Sequence, residues 1–488
     1  MSQKEHSGRA DAHVELLSFA ADDPANPTAW GTGKKMFVVL TGLLAISNST
    51  VSSSLPSGAL DYISADFHIT GDVQPALPIS LFLVGYILGP IIFAPLSETY
   101  GRKSVLVPCF VLYTAFTLGC ALAPNWASLL VFRFFVGTAA SAPYVIVGGV
   151  FADIYTDKLN RGRAITVLLA CMNLGPVIGP IISGYASPKD WRWTFWISLI
   201  ICGVSWPPLV CLPETYTPVL LARRARRMRA HNQRANVFAP SELEPRSLQE
   251  TITVVLIRPI RLFSEPIILF TCLFLALLFA IYYLFFEAYP LIFKGVYGLD
   301  SGSASLTFLP IGIGAALDTI VFVWYDWYLA RAKKLHRSWA LDEEYRRLPL
   351  ACIGAPLYVI SLFWLGWTAR SSIHWIVPVL SGLTFGIGIE LTFMALLNYI
   401  TDAYAPYAAS AMASSSISRS LFAVVLPLAT NPMYRRLGIP WASSLLGFLA
   451  LALGTVPFIF LKYGAALRKR SKVCQRLAQE MQEDEETE

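Results

Sequence analysis

Five ionisable side chains stand inside long apolar runs of this sequence: Arg133, Glu287, Asp318, Glu390 and Arg419. Burying a charge in a low-dielectric medium is costly, so an ionisable residue in such a run hints at function by default. A carboxyl held away from water keeps a proton near neutral pH until a substrate or a cation displaces it. A guanidinium stays charged and offers a fork of donors to carboxylates. Glu390 closes the glycine-lined run Gly382-Leu383-Thr384-Phe385-Gly386-Ile387-Gly388-Ile389-Glu390 and is the first candidate for a proton-coupling or substrate-specific group. Tyr283 stands one turn before Glu287 on the same helical face. Two roles are open for Glu287, proton carrier and structural hydrogen-bond partner. Asp318 and Arg419 are expected to form a buried structural pair. Asn48, Tyr144 and Asn398 are further polar groups in apolar surroundings.

The elements that must position these groups are twelve apolar stretches. About 20 mostly apolar residues cross a bilayer, and windows of that kind fall at 36–57, 75–97, 104–123, 127–151, 164–186 and 193–213, then at 266–291, 304–327, 348–369, 374–399, 406–430 and 440–463. Backbone groups have no water to bond inside hydrocarbon, so spans of this length must be helices. The expected fold class is an all-α membrane protein. Its parts are a cytosolic N-terminal segment (1–35), a six-helix bundle (36–213), a cytosolic central loop (214–265), a second six-helix bundle (266–463) and a cytosolic tail (464–488). Composition agrees, with 55% hydrophobic and 14% charged residues and a mean hydropathy of +0.54.

The net charge of +6 reports topology rather than a nucleic-acid partner. With both ends in the cytosol, thirty of the 38 Lys and Arg fall on the inside and six on the outside: Lys189, Arg192, Lys294, Arg370, Arg435 and Arg436. That asymmetry satisfies the positive-inside rule. In the central loop Arg223, Arg224, Arg226, Arg227 and Arg229 follow Pro218 and suggest an amphipathic surface helix. The tail joins the basic run Arg468-Lys469-Arg470 and Lys472 to an acidic, solvated end from Glu480 to Glu488.

Enzymatic chemistry finds no support. There is no GxxxxGK[ST] loop for a nucleotide and no HExxH among six histidines. The eight cysteines form neither CxxC pairs nor an extracellular framework, so no disulfide, metal or cofactor is expected. The Asn48-Ser49-Thr50 acceptor lies inside the first span, out of reach of glycosylation. No cleavable signal is expected, and the first span should direct insertion.

Short motifs narrow the class. Pro95-Leu96-Ser97-Glu98-Thr99-Tyr100-Gly101-Arg102-Lys103, between the second and third spans, resembles the signature loop of the major facilitator superfamily, with Ala94 in place of the leading glycine and Glu98 in place of aspartate. Gly175-Pro176-Val177-Ile178-Gly179-Pro180 with Gly184, in the fifth span, resembles the antiporter signature of twelve-span drug:proton antiporters. Small residues there allow close helix packing and prolines kink the helix. Asp23-Pro24, Asn26-Pro27 and Trp30 before the first span, Trp191-Arg192-Trp193-Thr194-Phe195-Trp196, Pro213-Glu214-Thr215-Tyr216, Phe285-Phe286-Glu287-Ala288-Tyr289-Pro290, Arg419-Ser420-Leu421 and Trp441-Ala442-Ser443-Ser444-Leu445-Leu446-Gly447 extend the resemblance to the fungal branch of that family.

The resemblance implies two six-helix bundles related by an axis along the membrane normal, with spans 1, 4, 7 and 10 lining a central cavity. On those spans it makes Asn48, Arg133, Tyr144, Tyr283, Glu287, Glu390 and Asn398 the substrate or proton pathway. Arg133 resembles the basic fourth-span motif of proton-linked members, the alternative being a salt-bridge anchor. Glu98, Gly101, Arg102 and Lys103 would form a cytoplasmic latch of the outward-facing state, with Asp153 as partner on the Arg102 side. Gly175, Pro176, Gly179, Pro180 and Gly184 would carry the antiport signature. The implied activity is proton-coupled efflux of a small organic compound by alternating access. The alternatives are export of an organic acid or polyamine, and a uniporter or importer on the same fold. The expected partners are the lipid bilayer, a small organic substrate and protons. The expected setting is the plasma membrane, as a multi-pass monomer with cytosolic termini.

Overall fold

The computed structural model describes residues 15–20, 22–231, 237–243, 257–340, 344–404 and 407–470. The acidic end from Glu480 to Glu488, Lys472, the first fourteen residues and part of the central loop lie outside the described residues.

Among the described residues twelve helices are long and apolar enough to span a membrane: Thr32–Asp66, Gln74–Tyr100, Arg102–Ala121, Trp126–Ile154, Asn160–Ala186 and Arg192–Cys211 (spans 1 to 6), then Pro266–Tyr297, Ser301–Lys334, Glu344–Thr368, Ile376–Ala403, Ser410–Leu428 and Thr430–Arg468 (spans 7 to 12). They form two six-helix bundles.

Span 1 outruns its sequence window. Its helix Thr32–Ser54 passes Pro56 into a 3-10 turn, Ser57–Ala59, and a short helix, Leu60–Asp66. Span 12 also starts earlier, because residues 430–437 are helical and bend at Gly438, whose φ of 74° is open to glycine at little cost. Spans 2 and 3 are separated by Gly101 alone, with φ 103° and ψ 156°.

The bundles repeat one packing solution. A side chain added at Gly85 of span 2 would collide with the Phe134 carbonyl of span 4, and one at Gly137 of span 4 with the Phe82 carbonyl of span 2. In the second bundle Gly314 of span 8 meets the Leu383 carbonyl of span 10, and Gly386 of span 10 the Ile311 carbonyl of span 8. Reciprocal glycines let the backbones touch where lipid offers no hydrophobic drive.

Twelve crossings bring the start of span 1 and the end of span 12 to one face, here the terminal face. At the opposite face the bundles are tied together. Lys294 Nζ reaches Asp61 Oδ2 at 2.9 Å, Tyr62 and Ser301 hydroxyls lie 3.0 Å apart, and Arg435 pairs with Asp72 at 2.5 Å. Gly184 of span 5 packs directly on Ser305 of span 8.

On the terminal face the arginine-rich segment is the helix Thr217–Ala230. It is clamped locally: Glu242 accepts from Arg229 at 2.9 Å and from Arg226 at 3.0 Å. The Arg229 hydrogen bond, aided by Arg226, holds the Glu242 carboxyl down at about 2. Strand Glu15–Leu16 pairs in parallel with Val237–Phe238, and Asp23 bonds to Arg224.

Candidate functional site

Near the terminal face, Arg102 opens span 3 with Nε 3.2 Å from Asp153 Oδ2, at the end of span 4. Its Nη1 donates to Ser97 Oγ at 2.8 Å and its guanidinium lies over the Tyr216 ring. Glu214, after span 6, completes the arrangement. Its Oε1 accepts the backbone N–H groups of Arg102 (2.8 Å), Thr215 (3.0 Å) and Tyr216 (3.1 Å), while the Thr215 hydroxyl reaches Asp153 at 3.2 Å. The carboxylate thus caps the first N–H of span 3, as anions do at helix N-termini, and ties it to the two N–H groups that lead into the helix Thr217–Ala230. Gly101 is required twice, by its positive φ and because a side chain there would strike Glu214. Lys103 donates to the Val210 carbonyl at 2.8 Å, and Glu98 is exposed. Arg102, Asp153 and Glu214 all belong to the first bundle, so their contacts brace that bundle. They are formed in the same structure as the ties at the opposite face.

Deeper in the bundle, prolines set the chemistry. A helical proline has no N–H for the carbonyl four residues back, and in a membrane that carbonyl must find another donor. Pro56 leaves the Ser52 carbonyl free, and fully buried Arg133 takes it with Nη1 and Nη2 at 3.1 Å each, while its Nε donates to the Pro78 carbonyl at 2.9 Å. Arg133 therefore bonds carbonyls rather than a carboxylate, with its charge over the Phe82 ring at 4.6 Å. It is not the salt-bridge anchor weighed from sequence. Pro180 frees the Pro176 carbonyl, and Ser54 of span 1 supplies the donor at 2.7 Å. Pro290 frees the Phe286 carbonyl, taken by Ser57 from the other bundle. Gly175 and Gly179 lie against Thr50 and Ser54, and Gly184 against Ser305, so the run from Gly175 to Gly184 is the surface that holds span 5 on span 1 and, at its end, on span 8.

Glu390 looks toward span 5. Its Oε2 accepts from Asn173 Nδ2 at 2.6 Å, a bond from one bundle to the other. Asp318 of span 8 lines the same small cleft, of about 20 Å³. Asp318 and Arg419 do not form the expected pair. Arg419 instead donates through Nε to the Ser415 carbonyl at 3.1 Å, lies over Phe393 at 4.6 Å and leaves a buried Nη1 without a partner.

Glu287 is 5% exposed and neither carboxyl oxygen has a hydrogen-bond partner. Tyr283, one turn earlier, donates to Ser53 Oγ at 3.1 Å across the bundles. Tyr144 packs edge-on against Tyr86 with ring centroids 5.3 Å apart, and Tyr86 lies 3.0 Å from Ser49 Oγ. Asn48 points elsewhere, toward span 6, where Nδ2 donates to Ser205 Oγ at 2.7 Å. Asn398 is half-buried.

Sequence reasoning passed over Asn173 and Tyr86, and gave Glu214 only as part of a motif with no role. Restricting the search to spans 1, 4, 7 and 10 excluded spans 2 and 5, although a tyrosine and an asparagine stand out in those apolar runs. Glu214 was visible as the first charged group after span 6.

The Major Facilitator Superfamily sequence model matches residues 39–427. The chain is 39% identical over 470 residues to "Efflux pump FUBT" of Fusarium oxysporum, covering 96% of this chain and 79% of that protein. It is 38% identical over 500 residues to "Major facilitator superfamily multidrug transporter mdrA" of Aspergillus fumigatus, covering 99% and 81%. Its fold resembles that of the Escherichia coli xylose transporter XylE in a partially occluded inward open conformation, with a TM-score of 0.62 and 14% identity over 88% of this chain and 99% of that one. Twelve spans in two bundles, buried polar groups within them and relatives of this kind describe a secondary transporter and not an enzyme, and the chain belongs to the major facilitator superfamily.

Proposed function

We propose that this protein exports a small organic compound, a secondary metabolite, toxin or drug, across the plasma membrane in exchange for protons, with both termini in the cytosol. The observation that carries the reading is a pair of carboxyl groups, Glu287 and Glu390, buried at 5% and 9% exposure within spans 7 and 10. An acid kept there at the expense of burial is explained by a proton that comes and goes. The names of the relatives as efflux pump and multidrug transporter support the direction of transport. The thirty basic residues assigned to the terminal face support a cytosolic setting for it, and on that reading the conformer tied at the opposite face is closed to the outside.

Driving force is sufficient. One proton moving down about 100 mV and one pH unit releases roughly 3.7 kcal/mol, enough for about a 500-fold gradient of a neutral solute. A second reading, export of an organic acid, is favoured by the unpartnered Nη1 of Arg419, a buried donor suited to a carboxylate. In proteoliposomes, a panel of fluorescent lipophilic cations and organic acids should be moved against their gradients only when a proton gradient is imposed. Equal uphill movement without it would remove proton coupling.

A further inference from the structure

We propose that Glu390, Asp318 and Asn173 form a single-proton site on the seam between the bundles, where spans 5, 8 and 10 meet, rather than in the central cavity. The proposal rests on the proton-coupled reading above and names its ion site. Asp318 is 4% exposed, lines the cleft beside Glu390, and its Oδ1 has no hydrogen-bond partner. Two carboxyls sharing one low-dielectric site cannot both ionise cheaply, so the pair holds one proton between them. A cleft of about 20 Å³ admits about one water and no organic cargo. The occupant is therefore a proton, delivered through water.

The surroundings suit an acid pair. Span 5 contributes the neutral Asn173 and Thr166, and span 8 adds Thr319 next to Asp318. Span 7 brings Tyr282, whose hydroxyl donates to the Asn173 carbonyl at 3.4 Å. Span 9 offers Cys352 and Tyr358 as its only titratable groups between Leu348 and Thr368. Span 11 brings Arg419, which sits over Phe393 and makes no ion pair with either acid. Among the described residues lining the cleft there is no cation to neutralise the pair.

The mechanical consequence lies in Asn173. With one proton on the pair, the remaining negative charge makes the Asn173–Glu390 bond charge-assisted and ties the bundles along the seam. A second proton removes that charge and weakens the tie, while loss of both protons sets two carboxylates against each other. Proton occupancy thereby biases the relative position of spans 5 and 8, which must part or close as the bundles rock.

The test needs no cargo. Reconstituted full-length protein on a solid-supported membrane is given a pH jump, and the pre-steady-state charge displacement is recorded. The wild type should show it, Glu390→Gln and Asp318→Asn should each lose it, and Asp318→Glu should retain it. A sodium jump at fixed pH should give no response. The proposal is overturned if Asp318→Asn, eluting as a single species like the wild type, keeps the full displacement. It is also overturned if Glu390→Gln, equally monodisperse, keeps the full displacement while Glu287→Gln loses it, an outcome that leaves proton-coupled export standing. A wild type without any displacement would bring down both readings, and a sodium response would reassign the ion.

Discussion

Ser54 of span 1 donates to the Pro176 carbonyl of span 5 at 2.7 Å, occupying the acceptor that Pro180 leaves without its helical N–H. The proline run that resembles an antiport signature is thus answered by a hydroxyl on another helix. Ser54→Ala should destabilise the protein by about 1–2 kcal/mol, since a buried carbonyl then goes unpaired. Pro180→Ala restores the N–H within span 5, so the double substitution should recover most of the loss. Thermal unfolding in detergent of the two single variants and the double closes the cycle, and strict additivity would refute the compensation.

The Arg102–Asp153–Glu214 brace leads to a second expectation. Charge reversal at Arg102 or Asp153 should sharply lower transport while the protein still reaches the membrane, and exchanging the two charges should restore part of it. Glu214→Ala should behave like either single reversal, because it strips the cap from three backbone N–H groups. Normal transport by all three single variants would leave the brace without a functional role.

Topology gives a third. A protease added to the cytosolic side of sealed, oriented vesicles should remove epitopes from both termini. Protection of either one would invert the assignment built on basic-residue asymmetry.

The Glu242 clamp is pH-sensitive in a defined direction. Its folded carboxyl is held at about 2 against an ordinary value of 4.5, so its stabilisation is complete above the ordinary value and fades as pH falls through about 2. Hydrogen exchange at Ala239, whose N–H also bonds Glu242, should accelerate over that interval. Arg229→Ala should raise the onset toward the ordinary carboxylate range, and an unchanged onset would discount Arg229.

Span number and helical class were legible because hydropathy and backbone satisfaction both act locally along the chain. The Arg102–Asp153 contact was legible through motif resemblance. What stayed hidden depends on rotation about helix axes. Asn48 sits on a span expected to line the cavity yet turns to Ser205, and Asp318 shares a cleft with Glu390 rather than pairing with Arg419, differences that a modest rotation of a helix produces without altering its hydropathy. The donors for proline-freed carbonyls were equally invisible, since Arg133 and Ser52 lie 81 residues apart in sequence.

The most direct measurement records cargo and proton flux together in proteoliposomes, using whichever fluorescent probe the wild type accumulates. The account predicts uphill movement that collapses when the proton gradient is dissipated, and a Glu390→Gln variant that keeps downhill exchange but loses uphill movement and its pH dependence. Uphill transport by both Glu390→Gln and Glu287→Gln, with pH dependence like the wild type's, would contradict it.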